Sequence, residues 1–182
     1  MNNTTLLIII LVVIVVVIAL IAFFVYRRRR QQQRQERARQ EYGSEYERVV
    51  EERGSEREAE QELRERRERV EGEVQPLSEE SRRRYEDQWG EVERTFVDDP
   101  KVALDDADRV VAEILSERNF PTHTRQEVSE GLGVMHPGVV EDFREAQRVH
   151  QHAIDSEGEA DLEKMRQAIQ KYRSVYEHLT ER

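Results

Sequence analysis

Leu6-Leu7-Ile8-Ile9-Ile10-Leu11-Val12-Val13-Ile14-Val15-Val16-Val17-Ile18-Ala19-Leu20-Ile21-Ala22-Phe23-Phe24-Val25-Tyr26 is a run of 21 residues without a charge, and Arg27-Arg28-Arg29-Arg30 follows at once. At ~1.5 Å rise per residue it makes a helix of roughly 31 Å, the thickness of a bilayer's hydrocarbon core. In lipid a lone segment satisfies its backbone N–H and C=O groups only as a helix. That constraint outweighs the strand preference of valine and isoleucine. The run therefore predicts a single transmembrane helix from Leu6 to Tyr26, with Tyr26 at the interface that tyrosines favour.

Charge sets the expected direction. Residues 1–5 carry no charged side chain, whereas residues 27–40 hold Arg27, Arg28, Arg29, Arg30, Arg34, Arg37 and Arg39 against Glu36. The positive-inside rule puts the C-terminal side in the cytoplasm and the short N-terminus outside. A cleaved signal peptide fits poorly: its basic residues would precede the apolar run, and small residues would stand where Phe23-Phe24-Val25-Tyr26 stand.

The net charge of −10 divides into +6 over residues 27–40 and −16 over residues 41–182. An acidic main region argues against nucleic acid as its partner. The membrane-proximal arginines suit anionic lipid head groups or simply fix topology. With no cysteine in 182 residues, disulfides, thiolate metal sites and a cysteine nucleophile are excluded.

Beyond the anchor, helical spacing dominates, and the expected fold class is all-α: a transmembrane helix, a charged helical stalk, then a compact helical bundle. Residues 1–5, 6–26, 27–75 and 76–182 are the expected divisions. Within the stalk, Gly43-Ser44 with Glu47 and Gly54-Ser55 with Glu58 read as helix stops followed by capping boxes. Tyr46, Val49 and Val50 give the first short helix an apolar edge. The second, over residues 55–71, is nearly all charge, with Ala59, Leu63 and Val70 as a thin stripe and Glu60–Arg64, Glu62–Arg66 and Glu65–Arg69 as i,i+4 pairs.

In the bundle, Ser78 is placed to cap a helix whose Tyr85, Trp89, Val92 and Phe96 share one face. Asp99 and Pro100 suit the N-cap and first turn of the next, which buries Leu104, Ala107, Val111, Ile114 and Leu115. Thr124 and Glu127 open a short helix that Gly131 and Gly133 are expected to end. His136-Pro137 opens one that buries Val139, Val140, Phe143, Ala146, Val149 and Ile154, and Ser156-Glu157-Gly158 breaks it. The last helix carries Leu162, Met165, Ile169, Tyr172, Tyr176 and Leu179 at spacings of 3, 4, 3, 4 and 3. Such an a/d seam packs within the domain or against a second chain as a coiled coil.

No sequence feature points to catalysis. His150 and His152, two apart on a helix, diverge too widely to share a metal. There is no H-E-x-x-H, G-x-S-x-G or Gly-rich phosphate loop. The expectation is a protein that is not an enzyme and has no cofactor, metal or catalytic residue. Tyr85, Trp89, Phe96, Phe143, Tyr172 and Tyr176 are the aromatics that would fill a core or line a pocket.

The order Tyr42-Gly43-Ser44-Glu45-Tyr46-Glu47-Arg48, Arg57-Glu58-Ala59-Glu60, Trp89, Phe96-Val97-Asp98-Asp99-Pro100, Phe120-Pro121, His136-Pro137 and Asp161-Leu162 through Tyr172-Arg173 resembles an uncharacterised bacterial family of small single-pass membrane-anchored proteins, frequent in actinobacteria. The resemblance spans about residues 40–180. It implies a bacterial source, one N-terminal anchor and an all-helical soluble region, and it carries no activity to transfer. The functional expectation is a membrane-tethered interaction or scaffold protein with a basic protein partner or a second copy of itself. The alternatives are a helical bundle binding lipid or a small ligand, and an accessory stalk of a larger membrane complex.

Overall fold

Side chains decide where several of the helices begin. Ser78 Oγ accepts from Ser81 N at 3.0 Å, Asp99 Oδ1 accepts from Lys101 N and Val102 N at 3.1 Å each, and Thr124 Oγ1 accepts from Glu127 N at 3.1 Å. Each bond satisfies a helix-terminal N–H that has no partner inside the helix. The computed structural model describes Phe23, Phe24, Tyr26, residues 36–155 and residues 161–181. Among them the chain is all-helical and has no strand.

The chain divides into two units, Met1–Glu41 and Tyr42–Arg182. Of the first, the described residues are all helical. Most of the expected transmembrane run, and Arg27 to Arg30 with Arg34, lie outside the described residues; Arg37 and Arg39 are exposed on a helix. No helix among the described residues is long and apolar enough to cross a membrane.

Among its described residues the second unit holds seven helices: α1 (Ser44–Arg53), α2 (Glu56–Glu73), α3 (Glu79–Asp98), α4 (Pro100–Glu117), α5 (Arg125–Met135), α6 (Val140–Asp155) and α7 (Leu162–Thr180). Helices α3, α4, α6 and α7 form one group, in which α4 packs against each of the other three and α6 lies along α7. Helix α4 is central because its apolar stripe is wide: Leu104, Ala107, Val110, Val111 and Ile114 are fully buried. Burying a valine, leucine or isoleucine side chain contributes about 1.5–3 kcal/mol. Helices α1, α2 and α5 form the other group, and α5 packs on α6 to join the two. The seam of α7 is covered within the chain, by α4 and α6.

The expected boundary at residue 76 does not hold. Residues 42–73 belong to the compact unit, since Tyr42, Tyr46, Val49, Ala59, Leu63 and Val70 are all buried. The thin stripe of α2 is wider than its apolar residues suggest, because Arg66 fills the gap between Leu63 and Val70 and is itself buried. The connector between α2 and α3 is pinned too. Gln75 N donates to Arg118 O at 2.9 Å, and Arg118 donates to Gln75 O and Leu179 O at 3.2 and 3.0 Å.

Three local expectations also fail. Gly131 and Gly133 do not end α5 but lie buried inside it. A Cβ on Gly133 would lie 2.8 Å from Glu45 Cδ, so the missing side chain lets α1 approach. Neither Ser44 nor Ser55 closes a capping box; Ser44 Oγ donates instead to Glu141 Oε1 at 3.0 Å. Ile154 and Leu162 are 56% and 49% exposed rather than buried, at the end of α6 and the start of α7. The expected break at Ser156-Glu157-Gly158 lies outside the described residues.

Candidate functional site

Two polar centres organise the second unit. The first is built on Glu45, which is fully buried although it is a carboxylate. Its neighbours on α1 are Tyr46 and Val49, so the helix face that buries them carries Glu45 inward as well. Three arginines from three helices converge on it. Arg48 Nε donates to Oε2 at 3.1 Å and its Nη2 donates to Oε1; Arg66 Nη1 on α2 donates to Oε1 at 3.2 Å; Arg144 Nη2 on α6 donates to Oε2 at 2.6 Å. Outer carboxylates balance the surplus positive charge: Glu52 on Arg48, Glu62 and Glu130 on Arg66, and Glu141 on Arg144. Burial pushes the Glu45 carboxyl upward, but the hydrogen bonds and charges of Arg48 and Arg144 outweigh it and hold the group below the usual carboxylate range. An ionised carboxylate in a dry interior is tolerated only when paired and hydrogen-bonded in this way. The centre fastens α1 and α2 to α6.

The second centre joins α4, α6 and α7. Buried His150 bonds Asp105 through Nε2 at 2.5 Å, and its Nδ1 lies 3.9 Å from Asp108 Oδ2. Tyr172 donates its hydroxyl to Asp108 Oδ1 at 2.7 Å. Burial, with the charge on Asp108, keeps the Tyr172 phenol protonated far above the usual tyrosine range. Beside this centre is a cavity of about 250 Å³. Leu115, Val128 and Phe143 give it apolar walls; Asp108, Arg125 and Gln147 give it polar ones.

The expected aromatics do not share one pocket. Trp89 stacks on Tyr176 with ring centroids 4.8 Å apart, and Trp89 Nε1 donates to Glu93 Oε1 at 3.2 Å. Tyr85 donates to Glu117 Oε2 at 2.8 Å. Both are buried in the core, Phe96 and Tyr176 are half-buried, and Phe143 and Tyr172 lie buried near the second centre. His123, His152 and His178 are exposed, and His136 is half-buried with Nε2 unpartnered. Among the described residues no group of three or more His, Cys, Asp or Glu is arranged to hold a metal.

Sequence reading missed the joining of Glu45, Arg66 and Arg144. Arg66 had a signal: Ala59, Leu63, Arg66 and Val70 keep one helical register, so the arginine sits where a core residue belongs. Glu45 and Arg144 had none, because partners 99 residues apart leave no spacing to read. No family model, curated protein or solved structure matches the chain.

Proposed function

We propose that the chain is a membrane-tethered, non-enzymatic interaction protein: residues 6–26 cross a bacterial cell membrane once, the arginines after them face anionic lipid on the cytoplasmic side, and the helical unit meets a basic protein partner. The observation that carries this reading is the segregation of charge, +6 over residues 27–40 against −16 over residues 41–182. Anionic lipid attracts the first stretch and repels the second, which leaves the acidic unit free of the surface and attractive to cations. A ligand pocket among Tyr85, Trp89, Phe143, Tyr172 and Tyr176 has less support, since Tyr85, Trp89 and Tyr176 do not line the cavity at Asp108. An accessory stalk rests on layout alone.

Because the chain has no cysteine, single cysteines at Asn3 and Gln40 report topology directly. In intact cells a membrane-impermeant maleimide is expected to label Asn3→Cys and to reach Gln40→Cys only after lysis. Labelling of both in intact cells, or extraction of the chain by alkaline carbonate, overturns the tether. Cross-linked membranes that yield no partner above background, with a monomeric chain, overturn the interaction reading.

A further inference from the structure

The cavity at Asp108 sets two opposite charges on one apolar chamber without pairing them. Asp108 Oδ1 is occupied by the Tyr172 hydroxyl, but Oδ2 stays beyond hydrogen-bond distance of His150 Nδ1, at 3.9 Å. Arg125, at the start of α5, spends one donor on Gln151 Oε1 at 3.0 Å, and a guanidinium has five. The described contacts hold no ion pair between Asp108 and Arg125, although both line the cavity. Leu115, Val128 and Phe143 line the same cavity, and Gln147 adds an amide. Arg125 stands exposed at the rim and Asp108 is half-buried; polar groups placed in this way on an apolar pocket fix orientation, and the apolar walls supply contact area.

We infer that this cavity binds a small zwitterion with an apolar tail, of the α-amino-acid class. Its ammonium meets Asp108, its carboxylate meets the Arg125 guanidinium, and its side chain lies against Leu115, Val128 and Phe143. Asp108 suits a cation, because Tyr172 already donates to the other oxygen and fixes the carboxylate's orientation. Arg125 suits a carboxylate, because a guanidinium presents two parallel donors to it. The volume of about 250 Å³ leaves room for a leucine- or phenylalanine-sized molecule. This inference does not depend on the membrane reading, since every residue in it lies in Tyr42–Arg182.

The test is equilibrium dialysis of the purified full chain against radiolabelled L-leucine and L-phenylalanine. Competition follows with leucinamide, which lacks the carboxylate, and 4-methylpentanoate, which lacks the ammonium. Saturable binding of at least one amino acid is expected, with each truncated analogue about tenfold weaker or worse, the loss of one charged hydrogen bond. Arg125→Gln, at an exposed position, should bring leucine down to the level of leucinamide. Asp108→Asn should bring it down to 4-methylpentanoate, with circular dichroism confirming the fold. Absence of saturable binding by both amino acids, equal binding of either analogue, or discrimination unchanged in Arg125→Gln overturns the inference.

Discussion

At the scale of single residues, Glu45 and Gly133 act as one unit. The carboxylate is fully buried, and its Cγ and Cδ fill the space where a Cβ of residue 133 would stand. Gly133→Ala is therefore expected to displace Glu45 from Arg48, Arg66 and Arg144. Stranding partners of a buried ion pair costs about 3–5 kcal/mol. In a Glu45→Ala background the same change should cost far less, because the clash is gone. A double-mutant cycle in denaturant reads the coupling, and additive losses would show that the two residues act independently. His136 gives a pH dependence. Burial, aided by the charges of Arg118 and His178, lowers its imidazole from 6.5 to about 4 in the folded chain. The unfolded chain takes up the proton first, so stability is highest above about pH 6.5 and falls as the pH drops toward 4. His136→Gln should flatten that part of the curve of unfolding midpoint against pH. Glu45 acts at lower pH: its contribution is present above the ordinary glutamate value and lost as the pH falls through its depressed one.

At the scale of helices, start signals were legible when the capping side chain had nothing better to do. Asp99 and Thr124 cap as their positions in the sequence suggest, whereas Ser44 is drawn off to Glu141 and Ser55 makes no cap bond. Asp99→Ala is expected to cost about 1 kcal/mol, and Ser55→Ala to stay within about 0.5 kcal/mol; thermal melts of the two variants separate these outcomes. The stop signals were less legible. Glycine ends a helix when solvent surrounds it, but at Gly131 and Gly133 close neighbours replace the solvent, Phe120 and Pro121 at the first and Glu45 at the second. Tertiary approach, invisible in a local window, decided between a cap and a contact. In α7 the seam was plain because four successive turns repeat it; Leu162, at its open end, is exposed and Tyr176 is half-buried.

At the scale of the molecule, apolar density was a good guide to α3 through α7 and a poor one to the pair α1 and α2. The pair docks partly through ions, and charge reads as solvated surface in a sequence. The part from α3 onward was therefore legible and the true N-terminal edge was not. A fragment of residues 42–182 is expected to unfold in one cooperative transition. A fragment of residues 76–182 should unfold at a lower midpoint, because α5 loses both α1 and α2, which pack on it at Gly133 and Glu130. Equal midpoints in calorimetry would show that the first two helices add nothing. The ionic dock also bears on the order of events during synthesis. Arg144 follows Glu45 by 99 residues, which at about 5–20 residues per second is a wait of about 5–20 seconds on the ribosome. Through that interval Glu45 has only Arg48 and, once α2 is made, Arg66 within reach, and the third clasp arrives last.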